Sequence, residues 1–221
     1  MKKIGVLTSG GDAPGMNAAV RATTLIAAQA GVEVVGILRG YEGLLDRQFR
    51  ALTRKIGDRL APTQDVENGA QLGGSILGSA RCKAFYEAAG RARGADALKE
   101  LDGLVVIGGN GSLTGARALC VEHGAKIVGI PASIDNDIGC TSSAIGVDTA
   151  LNTIVEACDR ISDTARAHRR AFIVEVMGRQ SGYLCMASAI AAGADAALFR
   201  EDGRTPAELV KAVADVVRRG F

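Results

Sequence analysis

The feature that most constrains the fold is the alternation of short, unbroken apolar runs with longer amphipathic stretches along nearly the whole chain. Lys3–Thr8 is such a run, and the alanine-rich residues 15–30 that follow it lead to a glycine. An apolar run without polar alternation is typical of a strand in a parallel sheet covered on both faces, and the amphipathic stretches suit the covering helices. The pattern therefore predicts an α/β protein with a doubly wound, mostly parallel sheet.

The same pattern places the remaining elements and divides the chain into two parts. Thr205-Pro206 has the form of a helix start, because Thr caps the first free amides and Pro suits the first helical position. We place the domain junction within 131–146, with one α/β domain over 1–146 and a second over 147–221. Further strands are predicted at Val32–Leu38, Leu104–Ile107, Lys126–Ile130, Ala171–Val176 and Ala196–Phe199, and further helices over 82–99, 112–122, 147–167 and 181–192.

Composition excludes several classes of function. Twenty-six Lys and Arg against 24 Asp and Glu give a net charge of +2, which is too balanced for a protein that coats nucleic acid or an anionic membrane. Three Tyr, five Phe and no Trp are too few for a base-stacking platform. The five scattered cysteines contain no CxxC pair, which favours reduced thiols in the cytoplasm over a disulfide framework or a zinc site.

The first loop whose residues suggest a chemical role is Ser9–Gly15, between a predicted strand and a predicted helix. Glycines at such a position let backbone amides approach a phosphate, and the N-terminus of the following helix favours negative charge. Gly10 and Gly15 have the spacing of a P-loop, but Met16-Asn17 stands where that motif needs Lys and Ser or Thr. Taken alone, the loop is as consistent with a tight turn as with a phosphate site.

A second glycine-rich loop, Gly108–Gly115, also joins a strand to a helix. Thr114 occupies the third glycine of a G-x-G-x-x-G match, so a Rossmann dinucleotide site is disfavoured. Because parallel strands end at the same edge of a sheet, both loops are expected at the edge where doubly wound proteins bind ligands. Two such loops favour a polyphosphate ligand over two coincidental turns.

A third loop, Pro131–Asp137, follows the next predicted strand and carries two carboxylates, Asp135 and Asp137. One carboxylate can accept a proton from an attacking hydroxyl, while the other holds a divalent cation against phosphate. Each Asp alone is more often a turn-forming residue. The order of two phosphate loops followed by an acidic loop favours the chemical interpretation.

Arginines flank the predicted strand Ala171–Val176. Arg170 precedes it and Arg179 follows it, and the planar guanidinium group matches phosphate oxygens bidentately. We therefore expect these two side chains to be able to bind the phosphate group of a substrate. Arg166 and Arg169 are interpreted as solvated surface residues.

Six motifs follow one another in a fixed order: TSGGDAPGMNAA (8–19), GSAR (78–81), GGNGS (108–112), PASIDND (131–137), GVDTALNT (146–153) and EVMGR (175–179). Together they resemble the bacterial-type ATP-dependent 6-phosphofructokinases, and the similarity covers essentially the whole sequence. The resemblance implies transfer of the γ-phosphoryl group of ATP to the 1-hydroxyl of fructose 6-phosphate, which gives fructose 1,6-bisphosphate and ADP. It also implies a magnesium cofactor and a homo-oligomer, a tetramer in the family.

The resemblance assigns roles to individual residues. Asp135 resembles the family's general base, Ser133 keeps the hydroxyl of the family's usual Thr, and Asp137 matches the carboxylate associated with the metal. Arg170 resembles the arginine supplied to a neighbouring subunit's substrate, and Arg179 is assigned to catalysis together with Asp135 and Ser133. The resemblance places ATP at Gly11, Tyr41, Arg81, Cys82, Gly109, Asn110, Gly111 and Ser112, and the sugar phosphate at Ser133, Ile134, Asp135, Arg170, Met177, Gly178 and Arg179.

Three positions bear on the phosphoryl donor and the metal. Pyrophosphate-using relatives typically carry Asp at the position of Gly111 and Lys at that of Ala132, so the residues in this chain favour ATP. Asn110 replaces an Asp that the family uses near magnesium. Because an amide lacks the negative charge that a hard divalent cation prefers, we expect weakened magnesium binding and a lowered turnover.

Family chains continue well beyond this one, so the resemblance implies a first domain without its C-terminal return segment and an incomplete second α/β domain. The family's allosteric nucleotide site is not expected, because Leu25 and Ser162 occupy positions that are commonly Arg. Two alternatives to an active kinase remain. One is a non-catalytic nucleotide- or sugar-phosphate-binding paralogue, and the less favoured one is a pyrophosphate-dependent phosphofructokinase.

Overall fold

The computed structural model describes residues 2–219. Seven strands are present: β1 (Lys3–Ser9), β2 (Glu33–Ile37), β3 (Phe49–Ala51), β4 (Thr53–Ile56), β5 (Arg59–Pro62), β6 (Gly103–Gly108) and β7 (Ile127–Pro131). The α-helices are α1 (Met16–Gln29), α2 (Gly40–Leu45), α3 (Gln64–Gly69), α4 (Ala88–Leu98), α5 (Asn110–His123), α6 (Val147–His168), α7 (Tyr183–Ala192) and α8 (Pro206–Arg219). Two short 3₁₀ helices cover Lys83–Tyr86 and Arg200–Asp202.

Five of the strands form one sheet in the order β3-β2-β1-β6-β7. β2, β1, β6 and β7 run parallel, and β3 pairs antiparallel with β2 at one edge. The chain leaves β1 towards β2 and later returns to the opposite side of β1 with β6. The strand order therefore reverses between β1 and β6, which confirms the predicted doubly wound, mostly parallel sheet and marks the edge where such folds bind ligands.

The central strand explains why the unbroken apolar runs were informative. Val6 and Leu7 point to opposite faces of β1, and both are completely buried. On the face of Leu7, apolar side chains from α2, α4 and α5 complete one core cluster that includes Leu44 and Leu119. A strand buried on both faces has no polar positions, so its sequence is continuously apolar.

The described chain divides into two compact units, one that ends at Ser133 and one that begins at Ile134. This division falls within the predicted junction 131–146, although the domains themselves were predicted to divide after residue 146. The first unit contains both sheets and helices α1 to α5. The second contains α6, α7 and α8, and α6 packs against α7.

Two predicted strands are wrong. Residues 171–176 and 196–199 contain no strand, and the described part of the second unit is helical or irregular throughout. A strand acquires its backbone hydrogen bonds only from a neighbour, and no described segment pairs with either stretch. The apolar side chains of the first stretch are consequently exposed, and Ile173 is 83% accessible.

The sequence pattern also missed a region of short elements between β2 and the 3₁₀ helix at Lys83–Tyr86. It contains α2, β3, the antiparallel pair β4-β5 and α3, each of six residues or fewer. Elements of this length carry too few residues to show a period. Among residues 2–219, no helix combines the length and the apolar character needed to cross a membrane.

Candidate active site

The three predicted loops leave the same edge of the sheet. The strand register pairs Ser9 with Gly108, and Gly108 with Pro131, so β1, β6 and β7 end side by side. The amide of Ala132 donates to the carbonyl of Gly108 at 3.0 Å and extends this alignment by one residue. The loops after these strands were identified separately in the sequence, and they therefore begin side by side at one edge of the sheet.

Gly108 is required by close backbone packing at this edge. A Cβ atom at this position would lie 2.5 Å from the carbonyl oxygen of Ser9 and 2.8 Å from Oγ of Ser112. Gly111, in contrast, is exposed, and a Cβ atom there would meet no atom within 4 Å. The first turn of α5 is thus fixed on its inner side and open on its outer side.

The N-terminus of α5 lies on this open side. The amide of Leu113 donates to the carbonyl of Gly109 at 3.0 Å, so the hydrogen bonding of the helix starts at Gly109. Such a helix N-terminus favours negative charge. Gly109, Asn110, Gly111 and Ser112, all predicted to bind ATP, lie on this turn or directly before it.

Tyr41 supports this turn from the core. Its ring is stacked on Phe85 with a centroid separation of 4.0 Å, and its hydroxyl donates to the carbonyl of Ser112 at 2.7 Å. Burial, with a smaller contribution from Cys120, raises the pKa of Tyr41 well above its usual range, so the side chain stays neutral. The structure therefore places Tyr41 beneath the loop, and its contact with a nucleotide remains a prediction.

The loop after β1 is anchored to the GSAR motif. Gly10 adopts a left-handed conformation with φ of +92°, and its carbonyl accepts a hydrogen bond of 2.7 Å from the Ser79 hydroxyl. Thr8 donates to the carbonyl of Gly78 at 2.8 Å. Two of the residues predicted to bind ATP, Gly11 on the loop and Arg81 at the end of the motif, are exposed, whereas Cys82 is half-buried.

Sequence reasoning missed the polar side chains that hold this region together. Asn17 is buried, donates to the carbonyls of Leu72 and Gly74, and accepts from the amide of Ile76. Ser79 has the bond to Gly10 described above. Both residues lie inside quoted motifs. For Asn17, the available signal was a polar residue at a buried position of helix α1.

In the second unit, Asp135 lies on a loop closed by the side chain of Asn136. The Asn136 amide group donates to the carbonyl of Ser142 at 3.2 Å, and its Oδ1 accepts from the amide of Ala144 at 3.0 Å. Asn136 has φ of 48°, a left-handed conformation that Asn tolerates better than most residues. Asp135 therefore sits on a constrained loop, and the neighbouring Asp137 is exposed.

The electrostatic surroundings of Asp135 suit a proton acceptor. Burial raises the pKa of the Asp135 carboxyl most strongly, the negative charge of Asp137 raises it further, and the positive charge of Arg179 opposes both effects. A raised pKa makes the ionised carboxylate a stronger base. The structure thus brings three predicted residues into electrostatic contact.

Arg179 belongs to a tight turn, Met177–Ser181. Gly178 has φ of 120°, and a Cβ atom there would lie 2.3 Å from the carbonyl oxygen of Ser181, so the position requires glycine. The Ser181 hydroxyl donates to the carbonyl of Asp135 at 2.8 Å and ties this turn to the acidic loop. Met177 and Arg179 are exposed.

The other predicted substrate residues are less closely tied to Asp135. Arg170 is exposed just beyond the end of α6, where its amide donates to the carbonyl of Ala165. Ile134 is half-buried beside Asp135 in sequence. Ser133, at the end of the first unit, lies beside Gly109, whose Cβ position is 3.6 Å from that of Ser133. The structure describes no interaction that brings Arg170 to the acidic loop, and its role remains a prediction.

The donor set limits the kind of metal site that is possible. Among residues 2–219, no cluster of three or more His, Cys, Asp and Glu side chains is arranged to hold a metal ion. Magnesium is commonly held by one or two carboxylates, while phosphate oxygens and water complete its shell. The exposed carboxylate of Asp137 fits that kind of binding and does not fit a site built from protein ligands alone.

The chain is similar to known proteins over its whole length. Residues 3–220 match the family described as phosphofructokinase. A relative from Thermotoga neapolitana named ATP-dependent 6-phosphofructokinase is 50% identical over 222 residues, which covers 100% of this chain and 67% of the relative. The chain therefore spans about two thirds of the length of this curated relative.

Solved structures give the same result for the fold. A Pichia pastoris phosphofructokinase structure matches with 44% identity and a TM-score of 0.76, covering 88% of this chain and 22% of the solved one. A pyrophosphate-dependent phosphofructokinase from Marinobacter aquaeolei matches with a TM-score of 0.81 over 99% of this chain and 58% of its own, but at 20% identity it supports the fold alone. On the matched family and the full-length similarity to these relatives, the chain belongs to the phosphofructokinase family.

Proposed function

We propose that this chain binds ATP and transfers its γ-phosphoryl group to the 1-hydroxyl of fructose 6-phosphate. The observation that carries the proposal is the alignment of Ser9, Gly108 and Pro131, which starts two glycine-rich loops and the acidic loop from one edge of the sheet. The substrates are inferred from the name of the 50% identical relative.

ATP is held mainly by backbone groups of the first unit. The N-terminus of α5 and the glycines after β1 receive the phosphates, because a helix N-terminus and close backbone approach both suit an anion. Arg81, the last residue of the GSAR motif, adds a positive charge, and Cys82 and Tyr41 complete the proposed nucleotide contacts. The proposed ATP residues are Gly11, Tyr41, Arg81, Cys82, Gly109, Asn110, Gly111 and Ser112.

Transfer proceeds with Asp135 as the proton acceptor. The 1-hydroxyl oxygen forms a bond to the γ-phosphorus while its proton passes to the Asp135 carboxylate, and the bond between the γ-phosphorus and the bridging oxygen breaks to release ADP. The Ser133 hydroxyl donates a hydrogen bond to the transferring group, and Arg179 stabilises its negative charge. Ile134, Arg170, Met177 and Gly178 complete the proposed sugar-phosphate site.

Asp137 is the residue proposed to hold magnesium, with Asn110 as a weaker oxygen ligand. A bound magnesium ion would neutralise charge on the phosphates during transfer. By the family resemblance we also propose a cytoplasmic location and a homo-oligomer, in which Arg170 serves a neighbouring subunit.

Asn110 favours one alternative, a paralogue that binds nucleotide or sugar phosphate without turnover. The test of this point is Asn110→Asp, which restores a carboxylate at the helix start. We expect a several-fold gain in turnover and half-saturation at lower magnesium concentration. Unchanged turnover and unchanged magnesium dependence would contradict the expected weakness of Asn110 as a metal ligand.

A coupled assay of the full chain with ATP or pyrophosphate, alongside melting shifts with each donor and with fructose 6-phosphate, tests the main proposal. Turnover with ATP supports it. A melting shift with ATP but no turnover supports the binding paralogue, and turnover with pyrophosphate alone would refute the choice of donor that rests on Gly111 and Ala132.

A further inference from the structure

We propose that Asn136 and Ser181 are positioning residues that hold Asp135 on the acidic loop, against the turn that carries Arg179. The inference rests on the proposed function, because it assigns Asp135 the role of proton acceptor. Asn136 lies inside the PASIDND motif but was given no role, and Ser181 lies outside all six motifs. Both are identified by the hydrogen bonds that converge on the backbone next to Asp135.

Asn136 closes the acidic loop from within. Its side chain donates to the carbonyl of Ser142 and accepts from the amide of Ala144, so one amide group connects positions six and eight residues further along the chain. It also holds the left-handed backbone conformation that separates Asp135 from Asp137. Loss of this side chain frees the loop while leaving both carboxylates in the sequence.

Ser181 holds the same loop from outside. Its hydroxyl donates to the carbonyl of Asp135 at 2.8 Å and accepts from the amide of Tyr183, at the start of α7, at 3.3 Å. One hydroxyl therefore connects a helix terminus to the residue that carries the base. Since Arg179 lies two residues before Ser181, the same bond fixes the turn that carries the arginine.

Residues further along the chain also anchor the turn at 177–181. The amide of Gly182 donates to the carboxylate of Glu201 at 2.8 Å, and Arg200 donates to the side chain of Gln180. The charged groups that act on Asp135 are Asp137 on its own loop and Arg179 on the turn, whereas Arg200 and Glu201 bond to the turn itself. Of these, Asp137 and Arg179 act on the pKa of Asp135, and burial is the largest cause of its rise.

Four variants separate positioning from structural support. Asn136→Ala removes the bridge and disfavours the left-handed backbone, whereas Asn136→Gly removes the bridge alone. Ser181→Ala removes the hydroxyl, and Ser181→Thr keeps it. We expect kcat to fall on the order of tenfold or more in the first three variants, because small misplacement of a reacting group is costly, with the KM for ATP unchanged. Ser181→Thr should retain most of the turnover.

Two control variants remove bonds of the same kind elsewhere in the second unit. Asn152→Ala removes a side-chain bond to the carbonyl of Asp148, and Ser188→Ala removes one to the carbonyl of Leu184. Neither residue belongs to the acidic loop or to the turn at 177–181. Both controls should lose stability without a change in kcat beyond the loss of folded protein.

The decisive readout is the order of the acidic loop, measured by amide hydrogen exchange in the unliganded protein. Loss of either bond frees the loop, so exchange at the amides of residues 135–144 should become faster in Asn136→Gly and Ser181→Ala and stay unchanged in Ser181→Thr and both controls. Unchanged exchange at these amides in Asn136→Gly and Ser181→Ala would overturn the inference. If the wild-type chain lacks turnover, the proposed function fails, and this measurement still decides the positioning role because it needs no activity.

Discussion

The candidate ATP-binding loops of the first unit and the acidic loop of the second unit are held in place by different kinds of interaction. In the first unit, the ends of β1, β6 and β7 are aligned by the strand register, and the loops are supported by buried residues such as Tyr41 and Ser112. In the second unit, Asp135 is held by single side-chain bonds from Asn136 and Ser181, on a largely exposed surface. From this comparison we expect phosphate binding to depend on the backbone and the fold, and proton transfer to depend on a few side chains. Substitutions in the two parts should therefore have separable effects.

The largest expected effect is on turnover, in the second unit. Asp135→Asn removes the proton acceptor, and loss of general base catalysis typically costs about 10²–10⁴-fold in rate. Because the pKa of Asp135 is raised in the folded protein, the neutral amide should not lower the free energy of unfolding. The measurements are steady-state kinetics and chemical denaturation. The matched control is Asp159→Asn, on the exposed surface of α6, and equal activity loss in both would contradict the assignment of Asp135.

The next largest effect is on stability, in the first unit. Gly108→Ala forces a Cβ atom to within 2.5 Å of the Ser9 carbonyl oxygen, and overpacking of this kind costs about 1–3 kcal/mol or more. We expect a lower free energy of unfolding together with a smaller melting shift on addition of ATP. Gly111→Ala is the control, since its Cβ atom would be free of contacts, and it should fold like the wild type. A stable Gly108→Ala variant with normal ATP binding would contradict the expectation that backbone packing holds the loops of the first unit.

A smaller loss of stability is expected when the support that Tyr41 gives to the first turn of α5 is removed. Tyr41→Phe keeps the ring stacked on Phe85 but removes the hydroxyl that donates to the Ser112 carbonyl. Leaving a buried acceptor without its partner costs about 1–3 kcal/mol. Chemical denaturation should record this loss with little change in kcat. A large fall in kcat at unchanged stability would instead indicate that Tyr41 acts on the substrates directly.

The smallest effect is a shift in pH dependence. Activity should rise with pH as Asp135 loses its proton, and this rise should occur above the pH expected for an ordinary Asp because the pKa is raised. Asp137→Asn removes one cause of the rise, so the acidic limb of the pH–rate profile should move to lower pH. Neutralising Asp159 should not move it. A shift of the limb to higher pH in Asp137→Asn would contradict the electrostatic description of Asp135.

The sequence predicted the first unit better than the second, for physical reasons. β1, β2 and β6 are buried in a parallel sheet, so their residues show unbroken apolar runs, and the loops after β1, β6 and β7 carry recognisable glycines and carboxylates. Ala171–Val176 has the same kind of sequence, but strand formation also needs a neighbour, which a local pattern does not reveal. The bond between Ser181 and Asp135 joins residues 46 positions apart, so no local motif could indicate it.

The buried ring of Tyr41 also gives this protein an optical probe of its own core. The sequence contains no Trp and only three Tyr residues, so tyrosine dominates the near-ultraviolet absorbance. Because burial keeps the Tyr41 phenol protonated, its phenolate band should emerge only when the packing around Phe85 and Ser112 opens. Alkaline difference spectra would thus follow the loosening of the first turn of α5 without any added label.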